Sequence, residues 1–389
     1  MVKQIQYQRF MLNNPFVLIG DIPAPYFCDR QQEVARLVKG IHGGENFCLV
    51  SARRMGKSRL IKHCYKQPEI HDNYYLFYVD LLHTSSLRDF AFAFGRCVFD
   101  TLQSKGEKFA RQFLSTVQSL TATMTIDPLS NMPQFGLSLN PNAQIEYSFE
   151  SIFRYLENAD KPCIVCFDEF QQINKYQEKN VEALLRSFIQ HMSNAHFIFS
   201  GSERHMLEEM FNSSAHPFYN SASYMELDAI PKEKYVEFVC YWFEQYNKHI
   251  DADLVRLIYQ IAESNTYAMQ RISHELFDIV NENETADRQL LTQAVNNIIE
   301  EDAPRFARLL SHVPERQQSL LFAIAKEGRA QKIMSGAFLR KYRLMSSSAV
   351  QNAIKHLLEL DLVTQDDKKQ FMVYDIFLRL YLNRISDSV

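Results

Sequence analysis

The sequence predicts an α/β fold, a parallel sheet with helices on both faces, followed by an all-α domain and a small helical module ending in a strand pair. Three observations predict it. Four short apolar runs, at 46–50, 73–80, 161–168 and 196–200, alternate with helical stretches. From Pro231 to about Glu301 the pattern is helical with no strand signal. From about Pro314 onward, three helix patterns precede two short strand-like runs at 362–364 and 371–374.

Each element has its own reason. The run 46–50 is apolar beyond Asn46, as a buried strand requires, and 57–65 follows as a helix without a breaker. The strand at 73–80 ends in Asp80, and a long helical stretch covers about 86–120. A helix at 149–158 leads into 161–168, which is apolar until Asp168. A helix at 180–192 and a strand at 196–200 complete the series. Both faces of these strands are apolar, the mark of a parallel sheet covered by helices. Between 122 and 148, Pro128, Pro133, Gly136 and Pro141 punctuate short alternating pieces, which predicts an inserted hairpin-like excursion. The expected division is therefore 1–230 (with the insertion at about 122–148), 231–310 and 311–389.

With 389 residues, the chain is long enough for two or three domains. It is 46% hydrophobic and 23% charged, which excludes a disordered chain. The net charge of −4 leaves any nucleic-acid or membrane attraction to a local patch. No apolar run approaches the ~18–20 residues of a membrane span. Residues 1–14 are polar, without the apolar core of an export signal. A cytoplasmic protein without a membrane partner is expected. The seven cysteines are odd in number, and Cys48, Cys97 and Cys240 have apolar neighbours. They read as buried hydrophobes in a reducing compartment. Cys163 and Cys166 form C-x-x-C, but without a second Cys or His pair core packing is the reading.

The first motif with chemistry is Ser51-Ala52-Arg53-Arg54-Met55-Gly56-Lys57-Ser58. A strand, a turn of defined length and Gly-Lys-Ser opening a helix make a phosphate loop: inward backbone amides hold phosphate oxygens, the lysine adds a point charge, and the hydroxyl ligates Mg2+. Ser51 stands where the pattern has its first glycine, the mildest loss at a position that needs a small residue. Ser51, Arg53, Arg54, Met55, Gly56, Lys57, Ser58 and the following Arg59 are thus nucleotide-binding candidates. The alternative is a plain helix N-cap by Ser58.

The second motif is Cys163-Ile-Val-Cys-Phe-Asp168-Glu169. A buried parallel strand delivers Asp168 to the carboxyl edge of the sheet, where ligands of such sheets bind. Asp168 and Ser58 are the candidate Mg2+ residues, and Glu169 is placed to orient or deprotonate an attacking water. A helix N-terminus that favours acids is the competing explanation.

Three stretches carry a family resemblance: Asn14-Pro15-Phe16 with Tyr26-Phe27-Cys28-Asp29-Arg30 and Glu33; Arg53-Arg54-Met55-Gly56-Lys57-Ser58; and Phe199-Ser200-Gly201-Ser202. They resemble the archaeal-type AAA ATPases, STAND-related P-loop proteins similar to origin-initiator ATPases. The resemblance implies that Tyr26 and Phe27 lie near adenine, that Ser200 and Ser202 occupy the place of a γ-phosphate sensor, and that Arg271 is a candidate lid arginine. A turn-to-helix entry, a serine turn and a solvated helix arginine are the respective alternatives. One departure matters. Where relatives place an arginine after the sensor strand, this chain has Phe218-Tyr219-Asn220-Ser221, with Arg186 and Arg204 as the nearby substitutes. Without such a group, which contributes ~10³–10⁵ in rate, turnover is expected to be slow.

At the C-terminal end, helix patterns at 316–326, 335–342 and 346–360, then a strand, a turn and a strand, follow the winged-helix order. From Glu315 onward 12 basic residues face 8 acidic ones. Arg340, Lys341 and Arg343 lead into the third helix, whose outward positions hold Gln351, Asn352, Lys355 and His356, while Lys368 and Lys369 sit on the wing. All of these but His356 are candidates for double-stranded DNA contact. Packing as an intramolecular latch, or against a protein partner, is the other reading. The segment after Tyr374 is too short for the nuclease-like domain of some relatives, so no nuclease activity is expected. Together these readings predict an ATP- and Mg2+-dependent switch that binds ATP or ADP between the α/β domain and the helical lid. A scaffold with nucleotide as structural ligand is the alternative, and self-association into a homo-oligomer is open.

Overall fold

The computed structural model describes residues 12–117, 119–126, 133–141, 144–366 and 368–387, so Pro128 and most of the polar N-terminal stretch lie outside the described residues. Two compact units result: Asp21–Ala229, and a second formed by the chain from Ile230 together with the segment ending at Gly20.

The first unit runs α1 (Gln31–His42), β1 (Phe47–Val50), α2 (Lys57–Tyr65), β2 (Tyr75–Asp80), α3 (Leu87–Lys105), α4 (Glu107–Thr116), β3 (Leu120–Ile126), β4 (Pro133–Leu139), α5 (Ile145–Glu157), β5 (Cys163–Asp168), α6 (Val181–Ile189), β6 (Ala195–Gly201), α7 (Arg204–Asn212) and β7 (Ser223–Glu226). Five strands form an all-parallel sheet in the order β2-β5-β6-β1-β7. Side chains alternate across it with the period of two that strands impose. Phe47, Leu49, Ile164, Cys166 and Ile198 pack with α1 and α2. Cys48, Val50, Val165, Phe167, Phe197 and Phe199 pack with the helices of the other face. Phe167 anchors that second core, edge-on to Phe90 and Phe94 with ring centroids 5.1 Å away. All seven cysteines are free thiols, buried or half-buried.

Two local features depart from the sequence reading, and the hairpin-like excursion follows it. The stretch 86–120 is two helices, because Gly106 adopts φ 137° and ψ 146°, a conformation that ends α3. The strand β7 went unread: its Ser-Tyr-Met-Glu pattern is only partly buried at the sheet edge. The excursion is an antiparallel pair, β3 with β4, in register from Leu120↔Leu139 to Ile126↔Pro133.

The second unit contains α8 (Lys232–Gln245), β8 (His249–Ile250), α9 (Ala252–Ile261), α10 (Thr266–Ile279), β9 (Thr285–Ala286), α11 (Arg288–Ser311), α12 (Glu315–Glu327), α13 (Gly336–Lys341), α14 (Ser347–Glu359), β10 (Val363–Gln365), β11 (Phe371–Val373) and α15 (Ile376–Asp387). The two-residue parallel pair β8–β9 interrupts a region read as wholly helical. The N-terminal segment, expected with the sheet, packs here instead. Phe16 is buried against Phe238, Phe243 and Phe277, and Asn14 Nδ2 donates to His274 O (3.0 Å) and Asp278 Oδ1 (2.7 Å).

In the C-terminal module, Ser335 and Ser346 cap α13 and α14, their hydroxyls accepting from Phe338 N (3.2 Å) and Ala349 N (3.3 Å). The β10–β11 ribbon follows, extended by a bridge from Ala330 to Phe371. The helix α15 was not anticipated. It buries Phe377, Leu378 and Leu382 and carries ion pairs back to the helical segment: Arg384 to Glu300 (2.9 Å) and Arg379 to Glu263.

A close approach joins α1 to the sheet. A Cβ on Gly40 would stand 2.2 Å from the ring of Phe47, which is buried on β1. Gly40→Ala is therefore expected to destabilise by ~1–3 kcal/mol despite its better helix propensity. A lower urea midpoint would register this, whereas a raised midpoint would show that the ring has room.

Candidate functional site

The segment between β1 and α2 turns through two left-handed residues, Arg54 (φ 66°) and Gly56 (φ 92°). Gly56 supplies the conformation without steric cost, while Arg54 bears a strain of ~1–2 kcal/mol. Ser51 does not have positive φ, which is why a serine fits where the motif has glycine. Its N–H donates to Gly201 O at 3.4 Å, tying the loop to the end of β6.

This turn brings Lys57 and Ser58 to the carboxyl edge of the sheet, opposite the end of β5. Ser58 Oγ donates to Asp168 Oδ2 at 2.9 Å. Lys57 Nζ lies 3.5 Å from Asp168 Oδ1 and donates to Glu169 Oε1 at 3.2 Å. Lys57 is 6% and Asp168 5% exposed, so both charges are held largely away from water. Glu169 sits at φ 52°, a bend that swings its side chain back toward the lysine.

Ser200 and Ser202 each meet a carboxylate. Ser200 Oγ, fully buried, donates to Asp168 Oδ1. Ser202 Oγ donates to Glu169 Oε2 at 2.8 Å and accepts from Arg53 Nε at 3.2 Å. Sequence reasoning missed two further partners. Tyr78, on β2, donates its hydroxyl to Asp168 Oδ2, and Gln171 Nε2 donates to Glu169 Oε2 at 2.6 Å. The only signal for Tyr78 was a polar-tipped side chain in an apolar strand, and its meaning depends on β2 lying beside β5.

Burial alone would raise the Asp168 carboxyl. The Lys57 ammonium and the hydroxyls of Ser200, Tyr78 and Ser58 outweigh it and hold the group below its ordinary value. Glu169 is likewise raised by burial but lowered on balance by Lys57, Gln171 and Ser202. Burial, with Cys166 and Asp168 beside it, keeps the Tyr78 hydroxyl protonated and hence a donor. A hydroxyl and a carboxylate 2.9 Å apart are hard oxygen donors, the chemistry Mg2+ takes when most of its shell is water or phosphate.

Tyr26 is buried in a single 3₁₀ turn, and Phe27 stacks on His63 of α2 with centroids 4.1 Å apart and planes 1° apart. Arg30, also left-handed, donates to Glu33 Oε1 (2.7 Å) and Asp228 O (2.6 Å), bracing this segment against the chain just before the unit boundary. Met55 and Arg59 are half-buried on the loop and α2.

Arg271 is engaged within its own unit, by Asp302 (2.7 Å), Glu301 (3.1 Å) and the Phe377 ring (5.3 Å), so its guanidinium is committed to helix packing. Arg204 pairs with Glu226 at 2.8 Å, and Arg186 is half-buried on α6. In the segment without an arginine, Phe218 is core and Ser221 Oγ donates to Phe218 O (2.7 Å). On the C-terminal module Arg340, Lys341, Arg343, Gln351, Asn352, Lys355, Lys368 and Lys369 are exposed. Lys341 is paired with Glu327 (2.6 Å), and His356 is half-buried on Gln317 Oε1 (2.8 Å).

A parallel sheet, a phosphate loop after its first strand and an acidic pair on a neighbouring strand tip define a P-loop ATPase fold. The comparisons agree. A family profile described as an ATPase domain predominantly from Archaea matches residues 27–272, more than half of the chain, and one described as a probable winged helix domain matches 304–384. The chain belongs to this archaeal-type ATPase family and carries a winged-helix domain. Comparison with curated proteins returned no match. Among solved structures, a Walker-type ATPase of Pyrococcus abyssi is 15% identical with a TM-score of 0.62, over 95% of this chain and 99% of that one. The ORC2 protein of Aeropyrum pernix, in its ADPNP-ADP complexes, is 13% identical with a TM-score of 0.57, over 96% and 97%. The ORC1 protein of Aeropyrum pernix, in complex with DNA, is 13% identical with a TM-score of 0.52, over 97% and 98%. At these identities the likeness is one of fold.

Asp168 and Glu169 have folded-state pKa values below their unfolded ones. Each contributes stability that is complete above the ordinary carboxylate range and is lost as pH falls through the depressed folded value. Stability measured by urea unfolding should therefore fall below a pH of about 4. The fall should be shallower in Asp168→Asn; equal slopes would show that the Asp168 carboxyl titrates alike in the folded and unfolded protein.

Proposed function

We propose that the chain is an ATP- and Mg2+-binding switch, slow in hydrolysis, whose winged helix contacts double-stranded DNA. The observation that carries the nucleotide part is the Ser58 Oγ to Asp168 Oδ2 contact, which joins the two motifs across 110 residues at 2.9 Å.

In this reading the amides of 51–58 and the Lys57 ammonium hold the β and γ phosphates, with Arg53, Arg54, Met55 and Arg59 around the loop. Ser58 and Asp168 would hold Mg2+, which would supply positive charge to neutralise the phosphates. Lys57 exchanges its carboxylate partners for phosphate. Glu169, steadied by Ser202 and Gln171, accepts a proton from the attacking water, and Ser200 keeps Asp168 oriented. The Phe27–His63 stack and Tyr26 flank the base, where the buried, unpartnered His63 Nδ1 offers a polar contact. ADP stays as product. The absence of arginine from 218–221 supports slow turnover of the STAND-related kind, in the cytoplasm, with homo-oligomerisation as the route by which a second copy would supply the missing cation.

The DNA reading rests on α14 and its approach. Arg340 and Arg343 are exposed and have no ion-pair partner among the described residues, and Gln351, Asn352 and Lys355 form the outward face of α14. Lys368 and Lys369 extend the basic surface to the wing. A second reading, an intramolecular latch, has its own support: Glu263 pairs with both Arg379 and Arg329, and Arg305 lies 3.5 Å from Asp375. These contacts engage α15 and the turn after α12, leaving the outward face of α14 uncovered within its unit.

Lys57→Ala is expected to abolish ATP binding in calorimetry, and unchanged affinity would refute the site. Glu169→Gln should bind normally and hydrolyse ~10²–10⁴ times more slowly; wild-type turnover would remove its assigned role. Duplex DNA affinity should fall with salt, and Arg343→Ala should reduce the log–log slope by ~1. Binding without salt dependence would favour the latch.

A further inference from the structure

We propose that Tyr78 is a positioning residue for the divalent-cation site, orienting the Asp168 carboxylate through its phenolic hydroxyl as an outer-shell partner of the cation. The proposal rests on the reading of Ser58 and Asp168 as the Mg2+ residues, and neither sequence motif contains Tyr78.

The geometry comes from strand order. β2 lies beside β5 in parallel register, with Tyr78 opposite Cys166 and Asp80 opposite Asp168. From there the phenol reaches along the sheet edge to Asp168 Oδ2, the oxygen that also accepts from Ser58. The other oxygen, Oδ1, is occupied differently, by Ser200 Oγ, Glu169 N (3.1 Å) and Lys57 Nζ (3.5 Å). The carboxylate is thus held from both ends. One oxygen is fixed by β6, the backbone and the lysine, and the other, among the described residues, by Ser58 and Tyr78.

That division gives Tyr78 its task. A cation held by Ser58 would take the lone pairs of its hydroxyl, and Oδ2, which Ser58 shares with Tyr78, is the Asp168 oxygen next to that hydroxyl. Tyr78 is then the protein donor that keeps Oδ2 aimed. Outer-shell donors of this kind set the torsion of a ligating carboxylate, and losing one typically weakens metal affinity ~10–100-fold. The ring itself is held independently, with the Lys62 ammonium 5.3 Å from its centroid, so a phenylalanine can keep the packing and lose only the hydroxyl.

The test uses the full chain and a fluorescent ADP analogue, titrated with Mg2+ and, separately, in excess chelator. Y78F is expected to bind the analogue in chelator as the wild type does, while the Mg2+ concentration at half-effect rises ~10–100-fold. Lys62→Ala, which touches the ring and not the hydroxyl, should leave that concentration unchanged. An unshifted Y78F midpoint, with Asp168→Asn shifted, would overturn the role of Tyr78 and leave the cation site standing. If Asp168→Asn and Ser58→Ala also fail to shift it, the cation-site reading falls and this proposal with it. Equal loss in chelator and in Mg2+, or a Lys62→Ala shift as large as that of Y78F, would assign the effect to packing and likewise overturn it.

Discussion

The Lys57 ammonium, buried against the Asp168 and Glu169 carboxylates, is the interaction on which the site depends. Isolated buried charges cost several kcal/mol each, and only mutual pairing with further hydrogen bonds offsets that cost. Here the offset is complete in kind: four hydroxyls, one side-chain amide and two backbone N–H groups converge on the two acids. Two carboxylates facing one ammonium leave an excess of negative charge beside the hydroxyl of Ser58. A cation and a phosphate together satisfy such an arrangement better than either alone.

The sheet imposes this convergence. β1 and β5 are separated by β6, so the loop after β1 and the acid at the end of β5 meet over the end of β6. What stands at the end of β6 must therefore be small or a donor, and the sequence there is Ser200-Gly201-Ser202. Gly201 is constrained by contact: a Cβ on it would stand 2.0 Å from Gln171 Oε1 and 2.6 Å from Leu207 Cδ1. Without that space Gln171 could not lie under Glu169. The left-handed bend at Glu169 is the matching strain, stored where the side chain has to be aimed.

The second unit solves a different problem. Its C-terminal module is bound by α15, whose apolar face and arginines engage the helical segment, and Arg271 is drawn into that contact by Asp302 and Phe377. Arg271, a candidate lid arginine, takes part in this packing within its own unit. Because α15 carries the attachment, the outward face of α14 and the wing keep their basic and amide side chains exposed. One module can therefore be anchored at one face and present another.

The sequence by itself determined the alternation of strand and helix, the Gly56-Lys57-Ser58 turn, the Asp168-Glu169 strand tip and the helix–helix–helix–strand–strand order near the end. These are local signals: apolar period, strand length, cap residues and one required glycine conformation, each written within a few neighbouring residues. Tertiary structure alone decided the break at Gly106 and the placing of Phe16 with the helices. It also decided the helix α15, the engagement of Arg271, and the recruitment of Tyr78 and Gln171 to the acids. Each of those depends on which segment lies beside which. Tyr78 matters only because β2 neighbours β5, and strand order is set by how whole layers bury their apolar faces, which no short stretch of sequence encodes.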